Sequence, residues 1–334
     1  MYTPQSLDEV AKRYNLSVGQ LNEKIDNWTE AMRVARETRE HPLRDEKIIS
    51  SWNGMMISAL AKASERLNQP NYLEAAILAA TSLLDTVLND DGSLQRIYFD
   101  GKSSIEGTQA DYAYLAESFI ALYDATGERA WLDQAEALTQ QMNEQFWDDD
   151  NGAYFMGAVN VSGANLSTRP KDLHDNSIPS GNSVAMRVLA QLFKRTGNPD
   201  YEARTNQLIS ALSGRLSQHP SAFYYLLTGI HEHLNGEAGA IQYAGRGVVQ
   251  AKAFKRDDEI VVSVHLADGW HINSQAPLQD YLIPTKMTNA GGRELTGIEF
   301  PEAQIKSLGF QRAELSLFEN QFELKAPWLS LIHI

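Results

Sequence analysis

A repeat constrains this chain most. Three segments, "SWNGMMISALAKASERLNQPNY", "ADYAYLAESFIALYDATGERAW" and "PSGNSVAMRVLAQLFKRTGNPDY", end on an aromatic at Tyr72, Trp131 and Tyr201, which recurs after 59 and then 70 residues. This spacing exceeds the common solenoid periods and fits one pair of helices per unit. The first helix of each unit is apolar nearly all round, as in Met55, Met56, Ile57, Ala59 and Leu60, or Tyr112, Ala113, Tyr114, Leu115 and Phe119, the pattern of a buried helix. The second carries one stripe: Leu73, Ala76, Ile77, Ala80, Leu83, Leu84 and Val87 fall at i, i+3, i+4 spacing, and Trp131, Ala135, Leu138 and Met142 do much the same. Turns such as "ATGERAW" and "RTGNPDY" join the two, with Gly closing the first helix. An inner helix followed by an outer one, repeated, predicts two concentric layers.

Such layers make the expected fold mainly α, a partial α/α toroid whose inner helices surround a central funnel. The links "NDDGSLQRIYF" and "WDDDNGAYFMG", each an acidic Gly turn followed by aromatics, lead from one outer helix to the next inner one and are expected to cap the funnel. A plain helical solenoid without a pocket is the competing architecture. Residues 1–45 read as an N-terminal helical segment and 46–236 as hairpins forming half of a toroid. After the linker-like "NGEAGA", residues 246–328 read as a small β-sandwich-like domain, because "DEIVVSVHLADGWHI", "DYLIPTKM" and "RAELSLFENQFELKA" cluster β-formers between turn residues. Trp270 is expected in the core of that domain, and the ending "LSLIHI" matches no element.

Composition narrows the function classes. With 29 Lys+Arg against 43 Asp+Glu the net charge is -14, which repels phosphate backbones and anionic lipid, so nucleic acid and membrane surfaces are poor partners. The chain has no Cys, which removes disulfides, thiolate nucleophiles, Cys-ligated metals and redox chemistry by this chain alone. The start "MYTPQSLDEVAKRYNLSVGQ" lacks a basic segment followed by an apolar core, and 18 apolar residues nowhere run together. The expectation is a chain neither exported nor membrane-spanning as it stands, and cytoplasmic.

Two stretches are specific enough to carry a resemblance. "ARETREHPLRDEKIISSWNGMMISALA" (35–61) and "DNSIPSGNSVA" (175–185) resemble the spermatogenesis-associated protein 20 / YyaL family. The resemblance, over residues 5–235, implies a thioredoxin-like domain followed by a six-hairpin α/α barrel of the kind found in N-acylglucosamine 2-epimerases and several glycosidases. Here the thioredoxin-like part and its CxxC are absent, as are the first barrel hairpins, leaving about seven helices where the family barrel has twelve. Residues 246–328, with "GWHINSQAP", "YLIPTKM", "FPEA", "LGF" and "ELSLFEN", resemble the immunoglobulin-like N-terminal domain of the thiol:disulfide interchange protein DsbD. That domain works through a cysteine pair, so its redox role does not carry over, although a periplasmic setting stays open. The chain is therefore expected to be a fragment cut at both ends.

Aligning the units on their aromatic puts Asn53, Tyr112 and Asn182 at one position, with Trp52, Asp111 and Gly181 just before it. Each would sit at the N-terminal turn of an inner helix, where free N–H groups and the helix dipole favour anions and hydroxyl-bearing ligands. Trp52 and Tyr112 could stack on a sugar ring while Asn53, Asn182 and Glu106 bond hydroxyls. Asp111, Asp175 and His174 are the candidate acids and bases, since glycosidases need paired carboxyls and epimerases an acid and a base on opposite faces of a carbon. The competing assignment makes Ser51, Asp111 and Ser180 simple N-caps. In "IHEHLNG", His231 and His233 at i, i+2 face apart on a helix, one buried and one solvated, so no metal site is expected, and no cofactor. The functional expectation is a carbohydrate-active or sugar-binding α/α-barrel protein of 2-epimerase or glycosidase type. The alternative is a non-catalytic scaffold for a thioredoxin-like domain or protein. A toroid opened halfway should also self-associate through the bare flanks of its inner helices.

Overall fold

The computed structural model describes residues 5–158, 168–237, 239–288, 293–309 and 313–328; "LSLIHI" lies outside them. The chain divides into two compact units, one ending at Glu46 and one beginning at Lys47. The first holds α1 (Leu7–Arg13) and α2 (Val18–Glu37), each opened by a capping box, Ser6 with Glu9 and Ser17 with Gln20. Leu21, Ile25, Trp28 and Met32 share one face of α2, and Trp28 and Met32 on it are exposed.

In the second unit the helices alternate as the repeat predicts: α3 (Ser50–Arg66), α4 (Pro70–Val87), α5 (Gln109–Thr126), α6 (Arg129–Phe146), α7 (Gly181–Thr196), α8 (Pro199–Gln218) and α9 (Tyr224–Asn235). Helices α3, α5, α7 and α9 pack side by side in that order, while α4, α6 and α8 each back onto the inner helix they follow. Helices α5 and α7 are buried almost throughout, whereas α4, α6 and α8 bury one stripe each. This is the two-layered arc of a partial α/α toroid. The repeated aromatic sits two residues into each outer helix, with Trp131 and Tyr201 buried against the inner layer. Two close approaches need glycine: a Cβ on Gly54 would stand 2.8 Å from the Tyr114 carbonyl oxygen, and one on Gly229 would stand 2.5 Å from Arg187 Cγ. The Gly of "SWNG" therefore sets the α3–α5 spacing.

The links carry more structure than their turn residues suggest. The first forms β2 (Gln95–Phe99) and β3 (Lys102–Glu106), which join β1 (Ile48–Ile49) in a three-stranded antiparallel sheet. Asp100 and Gly101, with φ of 49° and 74°, make its two-residue turn. Both links leave their outer helix through the same single bridge, Leu88 with Leu94 and Trp147 with Tyr154.

The C-terminal part comprises β4 (Ile241–Ala244), β5 (Val249–Arg256), β6 (Glu259–Leu266), β7 (His271–Asn273), β8 (Gln304–Lys306), β9 (Leu315–Glu319) and β10 (Gln321–Pro327). They form two antiparallel sheets, ordered β10-β6-β5-β4 and β7-β9-β8. Asn320 at φ 59° turns β9 of one sheet into β10 of the other, and the Phe318 and Phe322 rings meet across that turn at 4.9 Å. Trp270 corrects the sequence expectation: it is 57% exposed, because it lies in the turn after Gly269 rather than on the inward face of β7. Helices and sheets from Lys47 onward form one unit, with β4 against α7 and Lys252 paired to Glu65 of α3 at 3.0 Å.

Candidate functional site

At the N-terminal rim of the inner helices, the sequence-predicted residues are tied to backbone. Asp111 is fully buried: Oδ1 accepts from Ser51 N at 3.1 Å, and Oδ2 accepts from Thr108 N at 2.9 Å, Thr108 Oγ1 at 2.7 Å and Arg96 Nη1 at 2.8 Å. One carboxylate thus completes the capping box of its own helix and caps α3, whose N-cap Ile49 has no side-chain acceptor. Ser51 is a donor to that cap rather than a cap itself, while Ser180 does cap α7, accepting from Ser183 N at 3.1 Å. Asp175 acts likewise on α9, accepting from Ser180 N at 2.9 Å and from Tyr225 N at 2.7 Å.

The three repeat-equivalent residues clasp the chain that enters their helix. Tyr112 Oη accepts from Leu94 N at 2.9 Å, and Asn182 Oδ1 accepts from Tyr154 N at 2.8 Å, so the same bridging position of each link is held from the same position of the next inner helix. Asn182 Nδ2 also donates to the carbonyls of Tyr154 and Asp172, and Asn53 Nδ2 to that of Ile49 at 3.0 Å. Trp52, Glu106 and His174 are exposed, His174 edge-on to Phe223 with ring centroids 5.1 Å apart. The structure brings Asp111 to the start of α3, beside Asn53 and Trp52, and sets Asp175 at the start of α9.

A second polar set, absent from the sequence expectations, lies on the inner helices themselves. Arg187 of α7 bridges Glu117 of α5 at 2.9 Å and Glu232 of α9 at 2.9 Å, and Tyr225 Oη donates to Glu117 at 2.5 Å. Arg187 also donates to Tyr225 Oη and lies over its ring at 4.6 Å. Burial alone would lower the Arg187 pKa, but Glu117, Tyr225 and Glu232 outweigh it and hold the guanidinium above its ordinary value. Burial, reinforced by Glu117, pushes the Tyr225 phenol up, so it serves as a donor. Two helical turns further on, the fully buried Arg195 forks onto Asp124 at 2.6 and 2.9 Å and onto Glu237 at 2.8 and 2.9 Å. Tyr243 of β4 donates to Asp124 at 2.9 Å. Asp175 links this network to the rim, since it holds the backbone N–H of Tyr225.

The network opens on a cavity of about 1180 Å³ between the C-terminal halves of the inner helices and strands β4 and β5. Arg187, Gln191 and Glu232 contribute to its wall, as do Lys62 and Arg66 of α3 and Lys255 of β5. Gln191 is 7% exposed and its buried Oε1 has no hydrogen-bond partner among the described residues. The signal for this set was in the sequence: a lone Glu in "AYLAESFIALY", and Arg and Gln in "VAMRVLAQLF", interrupt helices that are otherwise apolar all round, and a charge there requires a buried partner. Of the pair in "IHEH", His231 is exposed and His233 half-buried, while Glu232 between them faces Arg187. The described residues contain no cluster of three metal-ligating side chains and no helix long and apolar enough to cross a membrane.

No known family profile matches the chain. Over 226 residues, 65% of its length, it is 31% identical to human spermatogenesis-associated protein 20, and 30% identical to the mouse protein. Over 232 residues it is 28% identical to an uncharacterised protein of Caenorhabditis elegans. The chain is thus homologous to spermatogenesis-associated protein 20, and it spans less than a third of the length of these relatives, 28 to 31%. Among solved structures it is similar to cellobiose 2-epimerase from Spirochaeta thermophila, with a TM-score of 0.46 and 16% identity over 57% of this chain and 55% of that one. It is also similar to a D-mannose isomerase, with a TM-score of 0.43 and 16% identity over 52% and 46% of the two chains.

Proposed function

We propose that this relative of spermatogenesis-associated protein 20 supplies one side of a carbohydrate-recognising α/α toroid, its ligand meeting the polar side of the inner helices at Arg187 and Glu232. One observation carries the reading: these helices bury an ion cluster that opens on a cavity. Burying ions costs several kcal/mol each, and an apolar set of equal volume is commonly as stable or more so. Stability is therefore a poor reason for the cluster, whereas a fixed carboxylate beside a guanidinium fork is what a polyhydroxylated ligand requires. Of this cluster Glu232 and Arg187 reach the cavity wall, so acid–base chemistry of epimerase, isomerase or glycoside hydrolase type would fall to Glu232 beside the fixed cation Arg187, with Glu117 and Tyr225 holding that cation from behind. Asp175 positions Tyr225, and the rim residues Asp111, Tyr112 and Asn182 hold the inner helices and links in register.

The test is titration of the chain with neutral mono- and disaccharides, read by calorimetry and NMR, followed by NMR assay of sugar isomerisation and glycoside cleavage with the same chain. Saturable shifts lost in Glu117→Gln would support the reading; no sugar response at all would sink it. A second reading, a scaffold for a thioredoxin-like partner, is favoured by Trp52 and Met56, exposed one turn apart on α3. It predicts that a thioredoxin-fold protein protects α3 from hydrogen exchange, and unchanged exchange would remove it.

A further inference from the structure

We infer that α2 is a dimerisation helix, docking antiparallel on the α2 of a second copy of this chain through Ile25, Trp28, Met32 and Ala35. The inference stands apart from the sugar reading and concerns only the unit that ends at Glu46.

The capping box of Ser17 with Gln20 starts a helix of 20 residues, and its apolar residues Val18, Leu21, Ile25, Trp28, Met32 and Ala35 recur at alternating steps of three and four. An apolar residue every 3.5 positions keeps one narrow seam turned toward another helix, whereas the broader stripe of a helix laid on a core follows the 3.6 period. Within its own unit α2 uses only the start of that seam. Leu21 is its one buried residue, as Ala11 is of α1. From Asn22 to Glu37 every residue is exposed, with Trp28 at 57% and Met32 at 66%. An indole, a thioether and a branched side chain in line on a bare helix make a patch that water disfavours, and a helix of this length draws most of its stability from a packed face. The rest of the seam therefore requires cover by a second helix.

Size and charge both fit a second copy of α2. In the antiparallel register that sets Ile25 beside Ala35 of the second copy, Trp28 comes beside Met32 of the second copy. Two-fold symmetry repeats both pairs, so each of the four layers matches a large side chain with a small or pliable one. Leu21 stays with its own unit. Parallel pairing would instead put two indoles in one layer and two alanines in another, a clash and a gap in one seam. Charge is sorted to the same end. Glu23, Asp26, Glu30 and Glu37 fall on the back of the helix, where Glu30 pairs with Arg33 at 2.7 Å. The positions flanking the seam, Asn22, Lys24, Thr29, Ala31 and Arg36, hold no carboxylate. Two chains of net charge -14 thus meet where acid does not face acid. In the antiparallel register Lys24 comes beside Thr38 and Arg36 beside Asn22 of the second copy, so cation does not face cation either.

The experiment is sedimentation of the full chain over a concentration series, joined to cross-linking of single-cysteine variants, which the absence of native Cys makes clean. The native chain should reach twice the mass of one chain, with a dissociation constant on the order of 10 µM. Trp28→Glu should weaken the dimer about a hundredfold, because the dimer carries the change twice. Glu23→Lys, on the back of the helix, should leave it within about twofold. A short thiol cross-linker should join Ile25→Cys chains to Ala35→Cys chains when the two are mixed, and should leave Ile25→Cys chains alone unjoined. Joining of Ile25→Cys to itself would overturn the antiparallel docking. A native chain still monomeric at about 100 µM would overturn the inference altogether. So would a dimer that survives Trp28→Glu and dissolves only in W52A/M56A, since α3 would then be the interface. Should circular dichroism show that Trp28→Glu also melts α2, the mixed cross-link still decides, because it is made on chains that keep the indole.

Discussion

The rim and the cavity are built from the same residue types and use them differently. At the rim, Asp111 and Asp175 accept from backbone N–H groups at helix starts. In the cluster behind and along the cavity wall, Glu117 and Glu232 accept from a side chain, Arg187. A backbone amide stays in place whatever replaces its partner, so a rim carboxylate has no apolar substitute. An ion cluster of side chains can be replaced whole, and its retention then needs a reason other than folding. The residues most conspicuous in sequence thus hold backbone at helix starts, and the proposed recognition rests on those hidden in apolar helices.

The largest expected effect lies at the rim. Asp111→Ala strands the N–H groups of Ser51 and Thr108 and the Arg96 guanidinium, and should cost about 3–5 kcal/mol in urea unfolding of the full chain. Asp111→Asn is informative because Asn caps helices about as well as Asp. Here four donors converge on the carboxylate, one on Oδ1 and three on Oδ2, so an amide NH2 faces at least the Ser51 N–H and should still cost about 2 kcal/mol. A loss under 0.5 kcal/mol, taken as roughly the neutral range for substitutions, would break the structural assignment of the rim.

Acid should reveal a second contribution of about 2 kcal/mol, from Asp148 in the link that follows α6. A hydrogen bond from the Lys171 ammonium, 2.6 Å away, holds the Asp148 carboxyl at about 2 against its ordinary 3.8. A depressed folded-state pKa gives stability that is present above the ordinary value and lost as pH falls through the folded one, so the loss runs from about pH 4 down to about pH 2. Unfolding free energies across that window, compared with Lys171→Met, should differ in slope; parallel curves would contradict the assignment.

The cavity should behave oppositely. Arg187→Met alone leaves Glu117 and Glu232 buried without a cation, Glu117 keeping only the Tyr225 hydroxyl, and should cost about 3–5 kcal/mol, but the triple variant E117L/R187M/E232M should return stability to within about 1 kcal/mol of the native chain. Its sugar response should vanish. A triple variant as unstable as Arg187→Met would show that the cluster serves folding, and would erase the distinction between cavity and rim.

Much of the fold was legible because it is periodic. Tyr72, Trp131 and Tyr201 marked the register of the outer helices, and the alternation of all-round and single-stripe apolar segments gave the layers. The β2–β3 hairpin was hidden because "FDGK" was absorbed into a link whose acidic residues read as turn. Trp270 was misplaced because alternation cannot tell the last residue of a turn from the first of a strand. The site was less legible, since a carboxylate near a helix start looks the same whether it awaits a ligand or caps a neighbour. Asp111 caps α3 from 60 residues away along the chain, a pairing that no local pattern contains. Glu117 and Arg187, 70 residues apart, went unread as interruptions of apolar helices, although the cost of a charge there was the signal.

The smallest expected effect returns to "SWNG". If Trp52 were a buried anchor, its replacement by Ala would cost about 3–5 kcal/mol and lower the melting temperature by many degrees. It is 59% exposed and shares a face of α3 with Met56, also 59% exposed, so Trp52→Ala should cost less than about 1 kcal/mol. Gly54, two positions along, should respond far more strongly, since any Cβ there meets the Tyr114 carbonyl. Where Trp52 should matter is between molecules. Two large apolar side chains one turn apart on the same face form a patch that drives association at modest concentration. W52A/M56A should therefore reduce dye binding and shift sedimentation toward monomer while leaving the melting temperature almost unmoved. A native chain that already sediments as a monomer without binding dye would show that this face needs no cover.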